Sequence, residues 1–113
     1  MFGFGKQTHP KEVGAKALRE MLDRDVAMVV DVREPDEFAA GHIPGAANLP
    51  LSRFDPALLP ESEGKLLVLN CAAGRRSAMA LAQCAKSGAS VDTHLNGGFS
   101  AWQGAKLPIA FGR

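Results

Sequence analysis

The sequence lacks any long apolar stretch: no uninterrupted run exceeds five residues, as in Val26–Val30. A helix that spans a bilayer needs about 20, so the pattern excludes a transmembrane helix. It also lacks an excess of one charge, with 13 Lys and Arg against 12 Asp and Glu and a net charge of +1. Such a chain has no large field to gather nucleic acid or an anionic membrane surface. The beginning, Met1-Phe2-Gly3-Phe4-Gly5-Lys6, has no basic stretch followed by about 7–15 apolar residues, the form of a secretory signal. A cytoplasmic location is therefore the expectation. Cysteine is scarce, with Cys71 and Cys84 alone. A domain with an ample core needs no disulfide and a reducing compartment does not keep one, so both thiols are read as free. No His and Cys cluster has the spacing of a metal site, and neither internal repeats nor low-complexity segments appear.

What is present suits one domain: 113 residues, 46% of them hydrophobic. Residues 1–8, with Phe2 and Phe4 set between glycines, read as a flexible arm, and residues 9–113 as a single domain. Pro10 can open a helix. Val13, Ala17, Leu18, Met21 and Leu22 follow at helical spacing, which predicts an amphipathic helix over residues 10–23. Residues 26–32 form a short β-branched run, a buried strand. Glu34 to Gly41 has an acidic first turn, an early proline and a terminal glycine, the marks of a short helix. Residues 46–49 read as another strand. Residues 51–59 stay ambiguous, one or two helical turns between Pro50 and Pro60. Residues 66–70 form a second clear strand, and a helix runs from Ser77 to the stop at Gly88. Residues 91–95 form a further strand, and residues 99–103 a short helix with Trp102. Alternating strands and helices predict an α/β domain with a mostly parallel sheet covered on both faces.

In such sheets ligands gather beyond the carboxyl ends of the strands. Cys71 stands there, followed by Ala72-Ala73-Gly74-Arg75-Arg76 and a helix start. Unpaired N–H groups at that start, a nest of loop amides and two guanidinium groups all favour thiolate over thiol. Gly74 suits a backbone of positive φ, and Ala72 and Ala73 leave room for an anion. Most free cysteines are inert small apolar residues, and Cys84, in mid-helix, fits that description. The surroundings of Cys71 set it apart as a nucleophile. His42 is expected to be a surface or capping residue, and His9 and His94 are assigned no role. The acids Glu34, Asp36 and Glu37 suit a helix start without any further function, and one of them is a candidate partner of Arg33. Phe99 and Trp102 are expected to pack as core beneath the loop.

Three stretches resemble the motifs of the rhodanese-like sulfurtransferases. They are Asp31-Val32-Arg33-Glu34-Pro35-Asp36-Glu37-Phe38 with Gly41-His42-Ile43-Pro44-Gly45-Ala46, then Cys71 to Ser77, then Leu95-Asn96-Gly97-Gly98-Phe99 with Ala101-Trp102. The resemblance extends over about residues 9–108 and has its motifs in the right order. It implies a rhodanese-like α/β fold with a central sheet of about five parallel strands flanked by helices. It further implies that Cys71 accepts a sulfane sulfur from an anionic donor such as thiosulfate, or from a protein persulfide donor. The resulting persulfide passes its outer sulfur to cyanide or a thiol, without metal or organic cofactor. Residues Ala72, Ala73, Gly74, Arg75, Arg76 and Ser77 would form the substrate loop, with Arg76 assisting the anion, Arg75 steering it, and Asp31 and Arg33 bracing the loop. Three alternatives stand beside this activity. One is a persulfide sulfur carrier. Another is a non-catalytic binding module, which the retained Cys71 disfavours. The last is the class of dual-specificity phosphatases and arsenate reductases, in whose loop the arginine stands one residue further from the cysteine.

Overall fold

The computed structural model describes residues 10–113; the arm assigned to residues 1–8, with Phe2 and Phe4, lies outside them. Strands β1 (Lys11–Val13), β2 (Ala27–Asp31), β3 (Ala47–Asn48), β4 (Leu66–Asn70) and β5 (Thr93–Leu95) form one sheet in the order β1-β5-β4-β2-β3. All four pairings are parallel. Between them run helices α1 (Ala15–Asp23), α2 (Pro35–Ala39), α3 (Arg75–Ser87) and α4 (Gly98–Gly104), with two single turns of 3-10 helix at Leu51–Arg53 and Pro56–Leu58.

Side chains of adjacent strand residues point to opposite faces, and the core divides accordingly. On one face Val30, Val32, Leu67 and Leu69 meet Ala80, Leu81 and Cys84 of α3. On the other, Ala27, Val29, Val68 and Leu95 meet Leu18 of α1 and Phe99 and Trp102 of α4. Leu18, Leu69, Val30 and Val68 are fully buried, each contributing about 1.5–3 kcal/mol of transfer free energy. Trp102 lies in this core with its Nε1–H donated to the Pro108 carbonyl at 2.7 Å.

The strand expected over residues 26–32 is present, its ladder bonds reaching from the Val26 carbonyl to the Val32 amide. The expected strand over residues 66–70 matches β4 at both ends. The helix expected over residues 10–23 is corrected: its first turn is instead the edge strand β1. Lys11, Glu12 and Val13 pair with Thr93, His94 and Leu95, and α1 begins only after Gly14 in extended geometry. Val13 happens to continue the apolar spacing of α1, and three residues are too few to show a strand period of their own. Helix α3 also starts two residues earlier than expected, at Arg75. Residues 51–59 form two short turns without a longer helix.

Candidate active site at the end of strand β4

Strand β4 lies between β5 and β2, and the chain leaves its buried carboxyl end at Cys71. The loop from Cys71 to Gly74 then turns into α3. Two main-chain bonds hold it from outside: the Phe99 and Ser100 amides donate to the Cys71 and Ala72 carbonyls at 2.8 and 3.0 Å. This close approach requires glycine at position 98. A Cβ there would stand 2.5 Å from the Cys71 oxygen and 2.7 Å from the Ala72 carbonyl carbon and oxygen. Gly74 has φ +108, in the region L-residues avoid. That conformation turns its N–H back to the cysteine, where it donates to Cys71 Sγ at 3.0 Å.

Cys71 is only 1% exposed, yet its sulfur lies among polar groups. Ser77 Oγ is 3.5 Å away. Burial alone would push the thiol up and is the largest single influence. The Ser77 hydroxyl and the amides of Ser77, Gly74 and Ala73 together outweigh it and hold Cys71 below the ordinary thiol value. Cys84 has no such donors; burial pushes its thiol up.

The two arginines that follow Gly74 differ in their surroundings. Arg75 is exposed and forms none of the ion pairs found among the described residues. Arg76 makes a two-pronged pair with Glu37, Nη1 and Nη2 lying 2.7 and 3.0 Å from its carboxylate oxygens. That pair holds the Glu37 carboxyl at about 2. Glu37 also accepts the Glu34 amide at 3.0 Å as half of the capping box of α2. Arg76 therefore ties α3 to α2 with its charge already compensated. The acid expected near Arg33 is thus Arg76's partner instead.

Arg33 pairs with Asp31, Nη2 to Oδ2 at 2.9 Å, both buried. Arg33 Nη2 also donates to the Gly41 carbonyl at 2.7 Å, and its guanidinium lies 4.4 Å above the Phe99 ring. Asn70, just before Cys71, reaches Asp31 at 3.5 Å. These contacts knit the ends of β2 and β4 to the turn at Gly41 and to α4. Of the two roles expected for His42, surface or cap, it has the second: it is buried at the end of α2. Its Nδ1–H donates to the Phe38 carbonyl at 2.7 Å, and its ring stacks on Phe38 at 3.7 Å.

His94 received no role from the sequence, and the structure places it beside the loop. It is 4% exposed; its Nδ1 lies 2.7 Å from Ser77 Oγ and its Nε2 3.4 Å from Glu12 Oε2. The link was hidden because Glu12 read as part of a helix. A cavity of about 480 Å³ lies at the opposite end of the sheet among Leu59, Lys65, Leu66 and Asp92 and holds none of these residues. No helix among the described residues is long and apolar enough to cross a membrane.

The family model for the rhodanese-like domain matches residues 14–105. An uncharacterized protein of Synechocystis is 45% identical over 96 residues, 85% of this chain and 54% of that protein, so the chain spans about half its length. A protein of Allochromatium vinosum named as a sulfurtransferase is 32% identical over 99 residues, 87% of this chain and 92% of the other. The crystal structure of a rhodanese-related protein from Thermoplasma volcanium superimposes with a TM-score of 0.74 at 29% identity, covering 88% of this chain and 97% of that one.

Proposed function

The chain belongs to the rhodanese-like domain family, and from that premise we propose that it is a sulfurtransferase working through a persulfide on Cys71. The observation that carries this reading is the Gly74 amide 3.0 Å from Cys71 Sγ, within a loop whose amides hold the thiol below its usual value. A thiolate in that setting attacks the sulfane sulfur of a donor such as thiosulfate. The donor's S–S bond breaks and sulfite leaves with the bonding pair. The new persulfide is itself an anion, and fixed amides stabilise it without rearranging. An acceptor thiolate or cyanide then attacks the outer sulfur, and Cys71 departs as thiolate.

The loop dimensions support sulfur over phosphate. Arg76 stands five residues after Cys71, one fewer than in the phosphatase-type loop, and its guanidinium is held by Glu37. Arg75, exposed at the start of α3 and in none of the ion pairs among the described residues, is a cation placed to steer a dianionic donor; its effect falls with salt. Cys84, on the buried face of α3, takes no part.

Intact mass after incubation with thiosulfate tests the reading. We expect a gain of one sulfur atom, lost in Cys71→Ser and kept in Cys84→Ser, and removed again by cyanide or a thiol. Wild-type protein that gains no sulfur from thiosulfate or from a low-molecular-weight persulfide would overturn it. Loading from the persulfide donor alone would retain the Cys71 chemistry and exclude thiosulfate as the donor.

A further inference from the structure

Three groups from three parts of the fold line up behind the sulfur of Cys71: Ser77 on α3, His94 on β5 and Glu12 on β1. The separations are 3.5 Å from Sγ to Ser77 Oγ, 2.7 Å from Oγ to His94 Nδ1, and 3.4 Å from Nε2 to Glu12 Oε2. Parallel register accounts for the far end, since Glu12 and His94 are direct cross-strand partners. Helix α3 accounts for the near end, by lowering Ser77, which is 0% exposed, onto the same face of β5. We infer that Ser77, His94 and Glu12 form a proton relay, in which His94 holds the proton that Cys71 gives up when it becomes the nucleophile.

The hydrogen-bond directions are consistent in both states. With Cys71 as thiol, S–H donates to Ser77 Oγ, the hydroxyl donates to His94 Nδ1, and Nε2–H faces the Glu12 carboxylate. When Cys71 ionises, its proton passes to Ser77 Oγ as the serine's own proton passes to Nδ1. The hydroxyl now donates to the thiolate, and Nδ1–H donates to the hydroxyl. One proton has moved from Sγ to Nδ1, and every link in the chain is still made. The resulting imidazolium keeps Glu12 as its counter-charge, 53% exposed at the edge of the sheet. During sulfur loading the thiolate pair forms the new S–S bond while the donor's leaving group departs with the old one. On unloading, Cys71 leaves with its bonding pair, and the proton returns from Nδ1 through Ser77 to Sγ.

The groups around His94 leave Glu12 as the one carboxylate facing it among the described residues. Strand β4 (Leu66–Asn70) and helix α4 (Gly98–Gly104), both packed on β5, contain no titratable residue. On β1, Lys11 is turned to Asp92 at 3.3 Å. On α3, Arg76 is engaged by Glu37, Arg75 is exposed, and Cys84 lies two turns beyond Ser77. Gly74 contributes only backbone beside the ring.

The relay rests on Cys71 being the reacting group, so its test uses no sulfur donor: the rate of Cys71 alkylation by iodoacetamide against pH, read by peptide mass. His94→Asn retains an amide nitrogen near the place of Nδ1 but cannot hold the proton. It should raise the midpoint of the profile by about one pH unit and slow alkylation at neutral pH about tenfold. Ser77→Ala should do at least as much, and adding His94→Asn to it should change nothing further, because the connection is already cut. Glu12→Gln, on an exposed edge where folding is not at risk, should shift the midpoint the same way by about threefold in rate. An unmoved midpoint in Glu12→Gln and His94→Asn, or full additivity of His94→Asn with Ser77→Ala, would overturn the relay. Absence of sulfur loading with a normal alkylation profile would instead overturn the sulfurtransferase reading alone.

Discussion

Replacing Gly98 by alanine should damage the loop from Cys71 to Gly74 without touching any side chain in it. Two costs can be worked from the geometry. Gly98 has φ +61, and an L-residue in the left-handed region costs about 1 kcal/mol more than glycine. The added Cβ would also sit 2.5 Å from the Cys71 carbonyl oxygen, whereas carbon and oxygen normally approach no closer than about 3.3 Å. The loop must therefore withdraw by most of an ångström. That movement stretches the bonds from Phe99 and Ser100, now 2.8 and 3.0 Å, each contributing about 1 kcal/mol. The sum is about 2–4 kcal/mol, below the whole stability of a typical domain, about 5–15 kcal/mol, so the variant should still fold. Urea denaturation followed by Trp102 fluorescence should show a midpoint lowered by about 1–2 M, given a slope of about 1–3 kcal/mol per M. Alkylation of Cys71 should slow as well, since the loop amides lose their aim. Gly104→Ala is the control, because nothing lies within 4 Å of its added Cβ and its φ is not positive. It should leave the protein as stable or slightly more so, by about 0.4–1 kcal/mol. A Gly98→Ala variant with the wild-type midpoint and alkylation rate would show that α4 does not set the loop.

Two further substitutions probe the ion pairs flanking the loop. Glu37→Gln removes the partner of Arg76, and because both side chains are about one-third exposed the loss is discounted to about 1 kcal/mol. The folded-state carboxyl lies at about 2 against an ordinary 4.5, so its contribution is complete above pH 4.5 and lost as pH falls towards 2. The gap in urea midpoint between wild type and variant should narrow from pH 5 to pH 3; a gap independent of pH would refute the assignment. Arg33→Met should cost about 3–5 kcal/mol, because it strands the fully buried Asp31 carboxylate. An unchanged thermal midpoint in that variant would refute a stabilising role for the Arg33–Asp31 pair.

The strongest signals in the sequence were those in which one residue type changes to another within a few positions. Leu66–Asn70 is a short apolar run, buried from Leu67 onward, so both its ends and the placement of Cys71 after it could be read directly. The helix α3 was legible as an element through its stop at Gly88, although its start at Arg75 was not, since arginine carries no period of its own. Strand β1 was illegible for a tertiary reason: Lys11, Glu12 and Val13 are strand only because Thr93, His94 and Leu95 lie beside them. Losing β1 also concealed Glu12, and with it the significance of His94. The partner of Arg76 was out of reach because Glu37 lies 39 positions away and Glu34 and Asp36 compete for the same reading. Local chemistry around the thiol was therefore readable, while choices between distant charged partners waited on the fold.

Two carbonyls of the loop are claimed from behind by Phe99 and Ser100. A peptide plane anchored at its oxygen has its hydrogen pointed the other way, so the electropositive character of the pocket is written in main chain. Substitution at Ala72, Ala73 or Arg75 can then alter entry and neighbours while the seat for a negative sulfur persists. The identities open to drift are the decorations of that seat, and the two glycines that shape it, Gly74 and Gly98, are where its tolerance ends.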